Sequence, residues 1–154
     1  MELTVEADAW WSYLVVFVAA AIPVVEVLVV VPVGILAGLS PAPTAIVALA
    51  GNLSTVALVA VGGDRLAGWW RRRRPVEHRQ PSRRSQRARA LAQRWGVPGL
   101  ALLAPLTTGS HIATVAALAT GSESRRVLRW MAAGLAVWSA AAAAATAAGV
   151  DAFT

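Results

Sequence analysis

Apolar residues in this chain come in four blocks too long and too continuous to be the buried stripes of helices in a soluble domain. Residues 13 to 38 carry one charge, Glu26; residues 43 to 63 and 130 to 150 carry none; residues 95 to 122 carry none beyond the imidazole of His111. At about 1.5 Å of rise per helical residue, each block is long enough for a hydrocarbon core of roughly 30 Å. The pattern predicts an all-α integral membrane protein. Two blocks, 43–63 and 127–150, have no internal proline and are expected to be the main transmembrane helices. The other two are interrupted: 11–38 by Pro23 and Pro32, and 95–122 by Pro98 and Pro105, the latter followed by Leu106-Thr107-Thr108-Gly109-Ser110-His111. Proline removes a helical donor and glycine permits a reversal, so each is expected to dip into the membrane and return as a re-entrant hairpin. Pro23, Pro32, Pro105 and Gly109 are its structural positions. Irregular backbone at membrane depth is tolerated only where protein or trapped water satisfies it, which turns these breaks toward the protein interior.

Charge selects between topologies. All 14 basic residues are Arg: eleven fall between 65 and 94, and three at 125, 126 and 129. Four plain crossings would divide the two clusters between opposite sides, whereas two hairpins and two crossings put both on one side. Cytoplasmic loops collect Arg and Lys, which favours the hairpins. The chain then divides into a first half, 1–63, an Arg-rich cytoplasmic loop, 64–94, and a second half, 95–154. Two proline-kinked crossing helices are the competing arrangement. A hairpin plus a crossing, entered first from outside and then from inside, is one unit used twice in opposite orientation. An offset of 83 residues pairs Gly38 with Gly121 and Gly51 with Gly134, and brings Pro23 within one position of the partner of Pro105. Inverted repeats of this kind recur in transporters with midplane sites. Met1 to Trp10 holds Glu2, Glu6 and Asp8 and no Arg, so it lacks the basic start of a secretory signal and is expected to be retained.

Within the loop, Arg71, Arg72, Arg73 and Arg74 precede Pro75, and Pro81-Ser82 is expected to start a short helix. On that helix Ala88, Leu91, Ala92 and Trp95 share one face, with Arg83, Arg84, Arg87 and Arg94 around it, as in a helix lying on a lipid surface. Such clusters attract anionic headgroups, and they equally serve only to set orientation. Basic charge beside a membrane segment already has a sufficient cause, so nucleic acid is not an expected partner. Trp10, Trp11, Trp69, Trp70, Trp95 and Trp130 flank the blocks, where an amphipathic ring prefers the headgroup level. Trp138 lies inside a block and is expected to be a packing residue.

An intramembrane carboxyl is costly and marks function by default, so Glu26 is the first candidate, as a group that takes up and releases a proton. Hydrogen bonding to backbone freed by the proline break is the structural alternative. Thr107, Thr108, Ser110, His111 and Thr114 form a second polar island whose hydroxyls and free N–H groups suit a polar or anionic substrate, with His111 able to relay a proton. If both islands lie at hairpin tips, Glu26 meets His111 or Thr108 near the membrane centre. Asn52 is expected to bind across helices as glue, and the run from Ala140 to Ala145 allows close helix approach or an oligomer contact. No phosphate loop or His-Glu metal motif occurs, and there is no cysteine for a disulfide or thiolate site, so neither an enzyme, a cofactor nor a metal is expected.

Glu26, Pro32, Gly51-Asn52, Trp95-Gly96, Pro105 and Thr108-Gly109 together resemble the small multidrug export protein family of bacteria, itself similar to the wider DedA-like membrane protein superfamily with paired re-entrant hairpins. The resemblance spans about residues 20 to 140. It departs where the family's early Arg and Gly fall on Leu28 and Val29, and where the stretch Pro105-Leu106-Thr107-Thr108-Gly109 lacks the family's second proline. It implies a multi-pass protein of the bacterial inner membrane, and the leading expectation is a proton-coupled exporter of amphipathic or lipid-like molecules. A flippase for polyprenyl-phosphate lipids of the DedA-like type is one alternative. A non-transporting membrane scaffold is another.

Overall fold

A computed structural model of the protein describes residues 3–23, 25–73 and 83–153, with side chains placed for 10–23, 25–63, 83, 86–87 and 90–152. Arg74 and the expected helix start at Pro81-Ser82 lie outside the described residues, as do the side chains of Arg71, Arg72 and Arg73. Among the described residues the chain forms six helices and is all-α: α1 (Leu3–Ala21), α2 (Val27–Leu36), α3 (Pro41–Arg73), α4 (Arg83–Thr107), α5 (Ser110–Ala119) and α6 (Ser124–Phe153).

Two stretches are long and apolar enough to cross a membrane, Pro41–Gly63 in α3 and Ser124–Ala152 in α6. Both helices outrun the segments expected of them. Apolarity ends at Gly63, but Asp64 to Arg73 contains no proline and a single glycine, Gly68, so nothing in it stops a helix already propagating. The remaining apolar helices are short. α2 and α5 have 10 residues each, about 15 Å, roughly half a hydrocarbon core.

Short helices imply breaks, and these fall at particular residues. α1 ends before Pro23, and the chain runs through Val25 to an extended Glu26 (φ −87°, ψ 159°) before α2 begins. α4 is bent at Gly96, whose φ of 65° and ψ of −170° are open only to glycine, and Pro98 then occupies the first turn of the second limb, where a missing N–H costs nothing. α4 and α5 meet at Thr108-Gly109, with Gly109 at φ 85°. Pro32 and Pro105 are not at breaks: Pro32 is inside α2, and Pro105 is inside the second limb of α4. A proline several residues into a helix removes one bond without reversing the chain, so each break is set instead by Pro23 or by Gly109.

Element boundaries recur with the 83-residue offset. α2 at 27–36 becomes α5 at 110–119, the start of α3 at 41 becomes the start of α6 at 124, and Gly38 (φ 94°) becomes Gly121 (φ 86°). Each half is therefore built as helix, break, ten-residue helix, glycine turn, long helix.

The chain gathers into two compact units, Met1–Ser54 with Leu135–Thr154, and Thr55–Gly134. In the first, α1 and α2 pack together and Val16, Ala20, Val27, Val31 and Ala48 are buried. There α3 approaches α1 so closely that a Cβ at Gly51 would overlap the Phe17 carbonyl. In the second, α4 packs along α5 over buried Val97, Leu100, Ala104, Ala113 and Ala117. The equivalent glycine, Gly134 of α6, faces α4, and a Cβ there would stand 2.5 Å from the Ala101 carbonyl oxygen. Pro105 is four residues beyond Ala101 and withdraws the N–H that would otherwise reach that carbonyl, so a glycine Cα–H fits against an acceptor left short of a donor. Large apolar side chains elsewhere face outward, Leu36, Ile46 and Leu58 being two-thirds exposed. Such a surface is costly in water and without cost in hydrocarbon.

Gly51→Ala and Gly134→Ala are each expected to cost about 1–3 kcal/mol by overpacking a backbone contact, read as a lowered unfolding temperature in detergent. Gly63→Ala, in the same helix but with a Cβ that meets nothing nearer than 3.6 Å, is the matched control and is expected to keep or raise stability, by up to about 1 kcal/mol.

Candidate functional site

The first unit places a carboxyl against a buried amide. α1 ends just before Pro23, Val25 N donates back to Ile22 O at 2.9 Å, and an extended Glu26 stands at the N-cap of α2, where its carbonyl accepts bonds from Val29 N (2.9 Å) and Val30 N (3.2 Å). Its side chain makes no capping bond to its own helix. Instead Asn52 Nδ2 of α3, fully buried, donates to Glu26 Oε2 at 3.5 Å, a long bond. An amide offers a donor and an acceptor, and Asn52 therefore suits both forms of Glu26.

The second unit gathers a histidine and two hydroxyls. His111 is the second residue of α5 and is buried, with Nε2 2.8 Å from Thr55 Oγ1 of α3 and Nδ1 3.3 Å from Ser110 Oγ. A neutral imidazole has one donor and one acceptor, and a hydroxyl can play either part, so both tautomers find partners. Thr108, at the break, is buried and its hydroxyl has no hydrogen-bond partner among the described residues.

Of the residues expected at the site, Ser110 and His111 are brought together, and Thr108 lies at the adjoining turn. Thr107 is exposed and donates to Leu103 O at 2.9 Å in its own helix, while Thr114 does the same to Ser110 O at 2.7 Å. Thr107 sits one helical position before the break, so its side chain turns away from the face that buries His111. Asn52 of α3 reaches the carboxylate of Glu26, which precedes α2. Thr55 was not among the expected residues. The signal for it was its spacing: it lies three residues after Asn52 in α3, the interval that puts two helical side chains on one face. Ser139 of α6 is another buried hydroxyl without a partner among the described residues, and the sequence did not single it out. Among the described residues no group of His, Asp and Glu could hold a metal ion.

Residues 26–141, three quarters of the chain, match a protein-family model described as "Putative small multi-drug export protein". The match begins at Glu26 and takes in α2, α5, the glycine turns and both polar groupings. No curated protein and no solved structure matches the chain.

Thr55→Val removes the hydroxyl 2.8 Å from His111 Nε2 and is expected to cost about 1 kcal/mol and to move the 15N chemical shifts of the imidazole. Thr107→Val, which removes an exposed and locally satisfied hydroxyl, should leave both stability (within about 0.5 kcal/mol) and those shifts unchanged.

Proposed function

Because the chain belongs to the small multi-drug export protein family, we propose that it is a proton-coupled exporter of amphipathic or lipid-like molecules in the bacterial cytoplasmic membrane. The membrane setting and a general transport role rest on that membership and on the two helices long enough to cross. The finer reading rests on one observation, the bond between Glu26 and fully buried Asn52. Inside an apolar segment an ionisable side chain is retained for a reason, and a partner that serves both protonation states is what a reversible proton site needs. Glu26 is the proton site in this proposal and Asn52 its positioning partner. Thr108, Ser110 and His111 make contact with substrate; Thr107 is set aside because its hydroxyl is spent in its own helix.

The two helix pairs enter the membrane from opposite faces as re-entrant hairpins of an inverted repeat. This is supported by the ten-residue α2 and α5, each about half a membrane thickness, by the 83-residue recurrence of element boundaries, and by the preference of Arg for the cytoplasmic face, which this topology alone meets for both Arg clusters. Arg71 to Arg74 gather anionic headgroups at the cytoplasmic face, and copies associate through the Ala140–Ala145 stretch of α6. A flippase for polyprenyl-phosphate lipids is the second reading, favoured by the exposed Arg83, Arg87 and Arg94 just before the second hairpin.

In proteoliposomes with an imposed pH gradient, Glu26→Gln is expected to abolish coupled movement of an amphipathic substrate. Coupling that survives this change removes Glu26 from the mechanism. Movement of a fluorescent lipid phosphate in place of amphipathic molecules selects the flippase, and movement of neither selects a scaffold.

Topology is tested separately by single cysteines in this cysteine-free chain. Thr4→Cys and Ala152→Cys are expected to react with an impermeant reagent from outside, and Glu123→Cys only from the cytoplasm. Labelling of position 123 from outside would overturn the opposed hairpins.

A further inference from the structure

The first limb of α4, residues 83 to 95, has a construction that transport through Glu26 does not use. Arg83, Arg87, Ala90 and Arg94 follow one another at intervals of four, three and four residues, and all four are exposed, so three guanidiniums stand in one row along the helix. Leu91 and Ala92, to one side of that row, are half-buried. At the end of the limb the chain turns a built corner. Gly96 supplies a conformation that other residues resist, and Gly99 leaves room for Trp95, whose Cβ occupies the space a side chain at 99 would need. The guanidinium of Arg94 lies 5.9 Å from the centroid of the Trp95 ring, close enough for a cation–π contact. Trp95 is itself 59% exposed, an indole held at a bend between a basic limb and an apolar one.

Charge and shape agree on one partner. A row of three Arg along a straight helix complements a planar anionic surface. The indole at its end belongs at headgroup depth, and the limb beyond the corner, with Leu102 and Leu106 exposed, belongs in hydrocarbon. We propose that the 83–95 limb of α4 lies along an anionic phospholipid leaflet, its Arg83-Arg87-Arg94 row on the headgroups and Trp95 as the anchor from which the second limb descends. Each Arg near an anionic surface adds roughly a fivefold preference, so three amount to about a hundredfold for anionic over neutral lipid, weakened by salt. The inference rests on the reading that the second hairpin enters from the cytoplasmic face, and requires nothing of Glu26 or of coupling.

The test uses the full chain in nanodiscs with a spin label on Ala90→Cys, within the Arg row. Its collisions with a water-soluble nickel chelate are expected to fall when phosphatidylglycerol is mixed into phosphatidylcholine, and to recover at high salt. In the Arg83→Gln/Arg87→Gln/Arg94→Gln background the lipid response is expected to be lost. Equal accessibility in both lipids overturns the proposal. So does a label shielded by a soluble polyanion such as heparin but not by phosphatidylglycerol, which would assign the row to a nucleic acid or protein. The lipid response and the Glu26→Gln transport assay read different variants, so either can fail while the other stands. Vesicles with the label accessible only from outside would instead refute the cytoplasmic entry on which the inference depends.

Discussion

Every backbone N–H and C=O that leaves a helix within hydrocarbon must find a partner in the protein, because no solvent is there to supply one. This chain breaks its helices at 22–26 and at 108–109, inside its apolar segments, and the packing around both breaks follows from that requirement. α2 and α5 are each only ten residues long, too short to hold themselves together by propagation alone, and they persist because each is laid against the helix that precedes it. Close approach by a third helix completes the enclosure. It is available only where that helix presents no side chain, which is the place of Gly51 beside Phe17 and of Gly134 beside Ala101.

The same economy governs the polar side chains. Glu26, Asn52, Thr55, Ser110 and His111 are held in or beside surfaces that otherwise carry only alkyl groups, and each has a partner able to switch between donating and accepting. The two halves differ at equivalent positions: at the N-terminus of α2 stands a carboxyl, and at that of α5 stands Gly109 with a buried hydroxyl, Thr108, beside it.

Much of this was readable in the order of residues. Block length and the scarcity of charge determined that the chain is helical and built for a bilayer, since no other structure spans hydrocarbon without open backbone except a closed barrel. Of the four positions expected at breaks, Pro23 and Gly109 adjoin them; Glu26 and Asn52 stood out as polar groups in apolar segments, and the 83-residue spacing of glycines coincides with a recurrence of helix boundaries. Tertiary structure decided the rest, because sequence shows what a residue can do and not what it is placed against. Pro32 and Pro105 have the same chemistry as Pro23 yet sit within helices, the freed Ala101 carbonyl being met by Gly134 rather than by a turn. Thr107 and Thr108 are adjacent and identical, and only the reversal at Gly109 makes one exposed and the other buried. Thr55 became a partner of His111 because α5 folds back far enough to reach α3, a contact between positions 56 residues apart that no local pattern encodes.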